Sequence, residues 1–218
     1  MNIIAYVDGF NLYYRALKRN PPVKWLNLDE LARRYVHTGD VLVAVKYYTA
    51  PVSGYRDPDA PNRQRAYFRA LKTIPTIQPF HGRFMRKEIC RPLVNEIRLE
   101  HPPCPDGQFV MVRSTEEKGS DVNLASHLLR DVFTGQLDAA IVVSADTDLV
   151  EPIKIVTLEF GRRVELVNPM IGRPAPPALK NVSSSVRNLT MADLLACQFP
   201  ATINTGHGAP IVRPPSWA

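Results

Sequence analysis

The sequence predicts an α/β protein, a three-layer α/β/α fold around a central, mostly parallel sheet. Three observations carry that expectation. Short, unbroken apolar runs such as Ile3 to Val7 and Ala139 to Val143 have the β-branched, two-sided character of strands buried on both faces. Segments with apolar residues at helical spacing lie between such runs, and alternation of strand and helix is the pattern of a parallel sheet covered on both sides. Finally, both runs stop abruptly at carboxylates, Asp8 in one case and Asp146 with Asp148 in the other. In open α/β sheets, ligands bind at the carboxyl ends of strands.

Taken in order, Ile3 to Val7 is the first strand, and Phe10 to Leu17 reads as a helix closed by Asn20-Pro21-Pro22. "NLDELARRYV" opens with Asn27 and Asp29 in capping positions and sets Leu28, Leu31, Ala32 and Tyr35 on one helical face. "VLVAVKYYTAPV" is β-rich, and turn residues fill 53–61. "NRQRAYFRALKT" is helical, with Ala66, Tyr67, Ala70 and Leu71 as its stripe, and "TIQPFHGRF" is a strand with its exit. Residues from about 84 to 115 read as a hairpin insertion, with "HPPCPDGQ" as the turn. In "KGSDVNLASHLLRDVF", Val122, Ala125, Leu128, Leu129, Val132 and Phe133 are assigned to the inward face, which puts Asp121 in the first turn. "DAAIVVSA" is a strand. "DLVEPIKIVTLEFG" is a helix with Val150, Ile153, Val156 and Phe160 inward and Pro152 in its first turn. "RRVELVNP" is a further strand. Beyond Pro169 a short strand is expected at "SSSVRNL", a short helix at "MADLLACQF", and irregular chain over the last twenty residues.

With 218 residues and 45% apolar content, the chain is long enough for one elaborated domain with a full core. Residues 1–169 read as that domain, and 170–218 as a Pro-rich extension that packs on it or on a partner subunit, so a homodimer is one expected assembly. No apolar stretch is long enough to span a membrane, and Asp8 interrupts the first run too early for a secretory signal. Three scattered cysteines make no disulfide framework, which places the expected compartment in the reducing cytoplasm. Cys90, His101 and Cys104 match no zinc spacing. The net charge of +6 is concentrated. Residues 61–91 hold eight Lys or Arg and one Glu, a local +7. Such a surface suits a polyanion, although a solvated basic face with no partner reads the same way.

The carboxylates at the strand ends are the chemistry-bearing feature. If the two strands are neighbours, Asp8, Asp146 and Asp148 converge on one crevice, and Asp121 at a helix start supplies a fourth. Clustered carboxylates repel and take up protons unless something neutralises them. A hard divalent ion, Mg²⁺ or Mn²⁺, is the usual neutraliser of an all-oxygen set and can activate water at a phosphodiester. Each residue also has a structural role open to it: Asp8 and Asp121 as helix caps, Asp146 and Asp148 as partners of a helix dipole. Asn11 lies one turn after Asp8, able to orient water or a phosphate, or to stabilise the loop. Tyr13, Tyr14, Tyr47, Tyr48, Tyr67 and Phe68 are candidates for base stacking, with core packing the commoner fate of such residues. The dinucleotide fingerprint and Walker loop are missing, and Phe10 stands where a haloacid-dehalogenase-type phosphatase needs a second Asp.

"YVDGFNLYY", "EEKGSDVNLASHLL" and "VVSADTDLVEPI" together resemble the NYN domain family, a branch of the PIN-like metal-dependent ribonucleases. The resemblance runs from Met1 to about Pro169, and the C-terminal tail is similar to the extension of some bacterial members. It implies a PIN-like fold, a Mg²⁺ or Mn²⁺ site, and cleavage of RNA at internal bonds to 5′-phosphate and 3′-hydroxyl products. On the matching positions the metal set is Asp8, Asp121, Asp146 and Asp148, with Asn11 as polar companion. Lys118, Ser120 and Thr147 are candidates for contacting substrate phosphate, with a capping role equally open to Ser120. Arg63, Arg65, Arg69, Arg83, Arg86 and Lys87 are the candidates for guiding RNA, single-stranded or structured. Two alternatives stay open: a non-catalytic RNA-binding or scaffolding protein that keeps the fold, and a DNA nuclease using the same metal chemistry.

Overall fold

Side chains that alternate between two apolar environments make the central strands of this chain. In the first strand Ile3, Ala5 and Val7 enter one core while Ile4 and Tyr6 enter a second. The strand beginning at Ala139 repeats the pattern, with Ala139, Ile141 and Val143 on one side and Ala140 and Val142 on the other. A strand buried on both faces belongs in the interior of a parallel sheet.

The computed structural model describes residues 1–55, 57–92, 109–206 and 208–218. In chain order the elements are β1 (Asn2–Asp8), α1 (Gly9–Leu12), α2 (Leu28–Arg33), β2 (Val41–Thr49), α3 (Ala60–Leu71), β3 (Ile77–His81), β4 (Arg83–Pro92) and β5 (Phe109–Lys118). They continue with α4 (Ser120–Phe133), β6 (Ala139–Val143), α5 (Val150–Lys154), β7 (Arg163–Asn168), α6 (Pro177–Val182), β8 (Ser185–Asn188) and α7 (Met191–Ala196). Six strands form one sheet in the order β3-β2-β1-β6-β7-β8, every neighbouring pair parallel. Helices α2, α3 and α7 cover one face through Leu31, Ala70 and Leu194. The other face is covered by α4, α5 and α6 through Leu128, Ile153 and Leu179. This is the expected three-layer fold.

Beside the main sheet, β4 and β5 pair antiparallel as a separate two-stranded ribbon, from Arg83 opposite Lys118 to Pro92 opposite Phe109. Both α1 and α5 run on into a π-helical turn, Tyr13–Leu17 and Ile155–Glu159. The inward face of α4 differs from the sequence reading. Leu124, Leu128, Asp131 and Val132 are buried, whereas Val122 is 69% and Phe133 79% exposed. The helix is thus rotated toward a buried polar group that an apolar-stripe reading does not count. Phe160 is likewise 41% exposed, because it lies at the end of the π-helical turn. The tail is more ordered than expected. Residues Thr202–Ile203 and Ile211–Val212 pair antiparallel, and Trp217 rests 6.2 Å from Trp25 and 6.1 Å from Tyr67, ring to ring. Among the described residues no helix is long and apolar enough to cross a membrane.

The polar group that turns α4 is Asp131, fully buried. Lys46 of β2 pairs with it, the Tyr6 hydroxyl donates to it at 2.6 Å, and Arg130 reaches its other oxygen at 2.9 Å. Burial alone would raise its pKa, but the bonds from Lys46, Tyr6 and Arg130 outweigh burial and hold it below the ordinary carboxylate value. Removing one partner of a buried pair costs about 3–5 kcal/mol, while replacing both by apolar groups is often neutral. Lys46→Met is therefore expected to lower stability by about 3 kcal/mol in urea unfolding at pH 7, and Lys46→Met combined with Asp131→Leu to recover most of the loss. Because the folded pKa is depressed, the contribution exists above the unfolded value of about 4 and disappears as pH falls through the folded one. The gap between wild type and Lys46→Met should accordingly close in acid.

Candidate functional site

Parallel pairing of β1 with β6 sets Val7 beside Val143, so the two chains leave the sheet together. The next residues are Asp8 and Ser144, and the Ser144 hydroxyl donates to Asp8 Oδ2 at 2.9 Å. Asp8 is 2% exposed and caps α1, its Oδ1 accepting the Asn11 N–H at 2.9 Å. Asn11 in turn accepts the Ala145 N–H on its side-chain oxygen at 3.1 Å. It ties the β6 exit loop to α1, and that oxygen is engaged within the protein. Asp146 donates its N–H to Ser144 Oγ at 3.0 Å and caps the short 3-10 turn Thr147–Leu149, accepting from the Asp148 N–H at 3.1 Å. The capping roles and the clustering therefore coexist: each cap fixes one carboxylate oxygen of the pair.

Asp121 arrives from the other side, in the first turn of α4. One carboxylate oxygen from each of Asp8, Asp121 and Asp146 lies within 4.8 Å of the others. Three hard oxygen donors at this spacing fit a Mg²⁺- or Mn²⁺-sized ion that keeps some of its waters. The approach of α4 depends on two glycines. Gly119, ahead of the helix, has φ +103°, and a Cβ on Gly82 would sit 2.0 Å from Glu117 Oε1 and 2.8 Å from the Lys118 carbonyl. A third glycine, Gly9, lets the start of α1 lie against β2, since a Cβ there would be 2.5 Å from the Tyr48 carbonyl.

The crowding shows in the charges. Partial burial and then the carboxylates of Asp8, Asp146, Glu117 and Asp148 push the pKa of Asp121 up to about 6. Burial also raises Asp8, against the bonds from Asn11 and Ser144 that favour its ionised form.

Not every expected residue joins the group. Asp148 is exposed and lies outside the three-oxygen cluster, acting on Asp121 through its charge. The Ser120 hydroxyl is buried and donates to Glu117 at 2.8 Å. Lys118 reaches Glu116 at 3.3 Å, and Thr147 stands exposed at the start of the 3-10 turn. The basic residues divide between two elements. On α3, Arg63 pairs with Asp57, Arg65 donates to Asn62, and Arg69 donates to the Ala209 carbonyl at 3.3 Å. On β4, Arg83 is exposed, Arg86 donates to Ser53 over the Tyr55 ring, and Lys87 pairs with Glu116 at 2.9 Å. Phe84 of β4 packs edge-on against Phe10 at 5.4 Å, which joins the ribbon to the helix that follows Asp8. Tyr47, Tyr48 and Tyr67 are core residues, while Tyr13 and Tyr14 are 36% and 57% exposed. His101 and Cys104 lie outside the described residues.

Sequence reasoning missed two residues here. Ser144 bridges Asp8 and Asp146, and its signal was its position directly after a strand. Glu117 is a further carboxylate acting on Asp121, and only the close passage at Gly82 reveals it.

Comparison with known proteins gives three findings. The NYN domain model matches residues 2–189. The 6-hydroxy-3-succinoylpyridine 3-monooxygenase HspA of Pseudomonas putida (strain DSM 28022 / S16) is 28% identical over 239 residues, an alignment that covers 97% of this chain and 74% of that protein. The crystal structure of a protein of unknown function from Vibrio parahaemolyticus superposes with a TM-score of 0.51 at 18% identity, covering 86% of this chain and 92% of the other. That last likeness bears on the fold alone.

The raised pKa of Asp121 has a measurable consequence. A carboxylate raised in the folded state contributes stability below its unfolded value of about 4 and loses it as pH climbs through the folded value of about 6. Asp121→Asn removes that dependence. In EDTA the variant should melt above wild type at pH 7.5, and the two should converge as pH falls toward 4. Equal melting temperatures at both pH values would show that the carboxylates do not share a pocket.

Proposed function

The chain belongs to the NYN domain family, and we propose from that premise that it is a cytoplasmic metal-dependent ribonuclease that hydrolyses internal phosphodiester bonds of RNA. The observation that carries the reading is the convergence of Asp8, Asp121 and Asp146 at the carboxyl edge of a parallel sheet. Asp8, Asp121 and Asp146 would hold the ion, Mg²⁺ or Mn²⁺, with Asp148 at the rim. Bound there, such an ion supplies water activation and charge stabilisation at a phosphodiester.

The chain's own part is positioning. Ser144 and the Asn11 N–H fix the two oxygens of Asp8, and the Asp148 N–H fixes one oxygen of Asp146. Fixed donors need little rearrangement to accept a cation, which is what preorganisation means at such a site. Asp121, with a pKa near 6, carries a proton part of the time near neutrality and gives it up when positive charge enters the pocket. The cations of α3 and β4 would supply the sequence-independent attraction that a phosphate backbone requires.

A second reading starts from the relative of Pseudomonas putida, whose name describes oxygenation of a substituted pyridine, and its support is the 97% of this chain that the likeness spans. Oxygenation consumes O₂ and a reductant, whereas hydrolysis consumes neither, so oxygen uptake in the presence of a hydroxypyridine separates the two readings.

Purified protein should cut labelled single-stranded RNA with Mn²⁺ or Mg²⁺ and be silent in EDTA. Asp8→Asn and Asp146→Asn should each lose more than the about 10–100-fold that outer-shell substitutions typically cost a metal site. Normal cleavage by either variant places the chemistry elsewhere, and cutting of DNA in preference to RNA redirects the substrate assignment.

A separate measurement addresses the basic surface. Arg65→Glu with Arg86→Glu changes one cation on each element. Together they should weaken RNA binding at low salt and reduce the slope of log K against log salt by about 2, one for each phosphate contact removed. An unchanged slope moves the RNA path off α3 and β4.

A further inference from the structure

Beside the acidic pocket, on the α1 side of Asp8, lies a cavity of about 420 Å³. Its size is within the roughly 300–1,000 Å³ of small-molecule sites. The walls are aromatic to an unusual degree: Phe10, Tyr13, Tyr14, Tyr47, Tyr67, Phe84 and Trp217 line it, brought together from five separate stretches of chain. Gly9 lines it too, and Gly9 and Phe10 directly follow Asp8 in the chain.

The rim has its own chemistry. Lys18, Lys24 and Arg63 line the cavity against a single carboxylate, Asp57, which pairs with Arg63. Among the described residues, Lys18 and Lys24 form no ion pair. Each is held over a ring instead, Lys18 Nζ at 4.9 Å from the centre of Tyr14 and Lys24 Nζ at 5.7 Å from that of Tyr13. Burial, followed by the charge of Arg63, lowers the pKa of Lys24, the mark of positive charge that its surroundings leave only partly compensated. Flat apolar walls select a planar ring, and an uncompensated cationic rim selects an anion attached to it.

We propose that this cavity binds one planar heteroaromatic ring bearing an anionic group, the ring against Tyr13 and Trp217 and the anion on the rim of Lys18, Lys24 and Arg63. A nucleotide of single-stranded nucleic acid is such a ligand, and a free heteroaromatic acid is another. The nucleotide form rests on the reading of the acidic pocket given above: a base seated beside Gly9 and Phe10 anchors its strand one residue from Asp8. A base in a duplex is stacked and cannot enter, so the cavity selects unpaired nucleotides.

The test measures binding without turnover, on the full chain in EDTA. Trp217 is in the cavity wall and Trp25 packs behind it at 6.2 Å, so tryptophan fluorescence reports occupancy. The ligands are the four nucleoside 5′-monophosphates, the matching nucleosides, and nicotinate. Tyr13→Ala removes a wall from a partly exposed position, and Lys24→Gln removes a rim charge. We expect saturable binding of at least one nucleotide in the micromolar to millimolar range, weaker binding of its nucleoside, and a loss of about fivefold or more in Tyr13→Ala. Lys24→Gln should weaken the nucleotide and leave the nucleoside unchanged. Binding of nicotinate alone, with the same sensitivity to both variants, supports the site and assigns it to a free acid. No saturable binding by any ligand, or binding that both variants leave intact, overturns the proposal. An inactive but ligand-binding protein would discard the nuclease reading and keep this one, because no step of the test requires the acidic pocket.

Discussion

Parallel pairing of β1 with β6 is the constraint on which the rest of this structure hangs. A parallel pair sends both chains out at the same edge, so the residues that follow the two strands must be neighbours. In an antiparallel pair, Asp8 and Asp146 would leave at opposite ends of the sheet. The pairing needs burial on both faces, which the alternating cores on either side of Ile3 to Val7 and Ala139 to Val143 provide. The apolar residues of these strands thus determine where the carboxylates meet, although none of them touches the site.

Around that pairing, polar groups act as spacers. The Ser144 hydroxyl bonds Asp8 while accepting the Asp146 N–H, and so ties the backbone that carries one carboxylate to the other carboxylate. Asn11 closes the same loop from the helix side. The arrangement opposes stability, since a chain that wanted only to fold would not place Asp121 where burial and four carboxylates raise its pKa. The contrast with Asp131 is instructive. That carboxylate is more deeply buried, yet Lys46, Tyr6 and Arg130 satisfy it, and its pKa falls. Deep burial with partners makes a structural acid. Shallower burial among like charges makes one ready for a cation.

Much of this was readable from the chain alone, and the limits have physical causes. Strand identity and order of elements follow from unbroken β-branched runs, and the carboxylates at Asp8 and Asp146 stand out because nothing apolar explains an abrupt end. The face of α4 was misread because a buried Asp131 is invisible to a hydrophobic pattern, and Val122 and Phe133 look inward only if apolar residues alone are counted. Ser120 looked like a phosphate ligand from its place before Asp121, but the side chain turns back to Glu117, a choice made by the approach of β5 to Gly82. The aromatic cavity was beyond sequence reasoning altogether. Its seven rings are scattered from Phe10 to Trp217, and only the fold collects them.

The ribbon of β4 and β5 joins the domain at a narrow base, where Gly82 passes Glu117 and Gly119 turns the chain into α4. Ten residues of each strand extend from that base, paired with one another and forming no part of the main sheet. In evolutionary terms such an arm is a module. Its length and surface can drift without altering the register of β1 and β6, so long as the two glycines and the Phe10–Phe84 contact persist. Diversification within this architecture would then proceed by exchange of arms on a constant acidic edge, with selectivity inherited separately from chemistry.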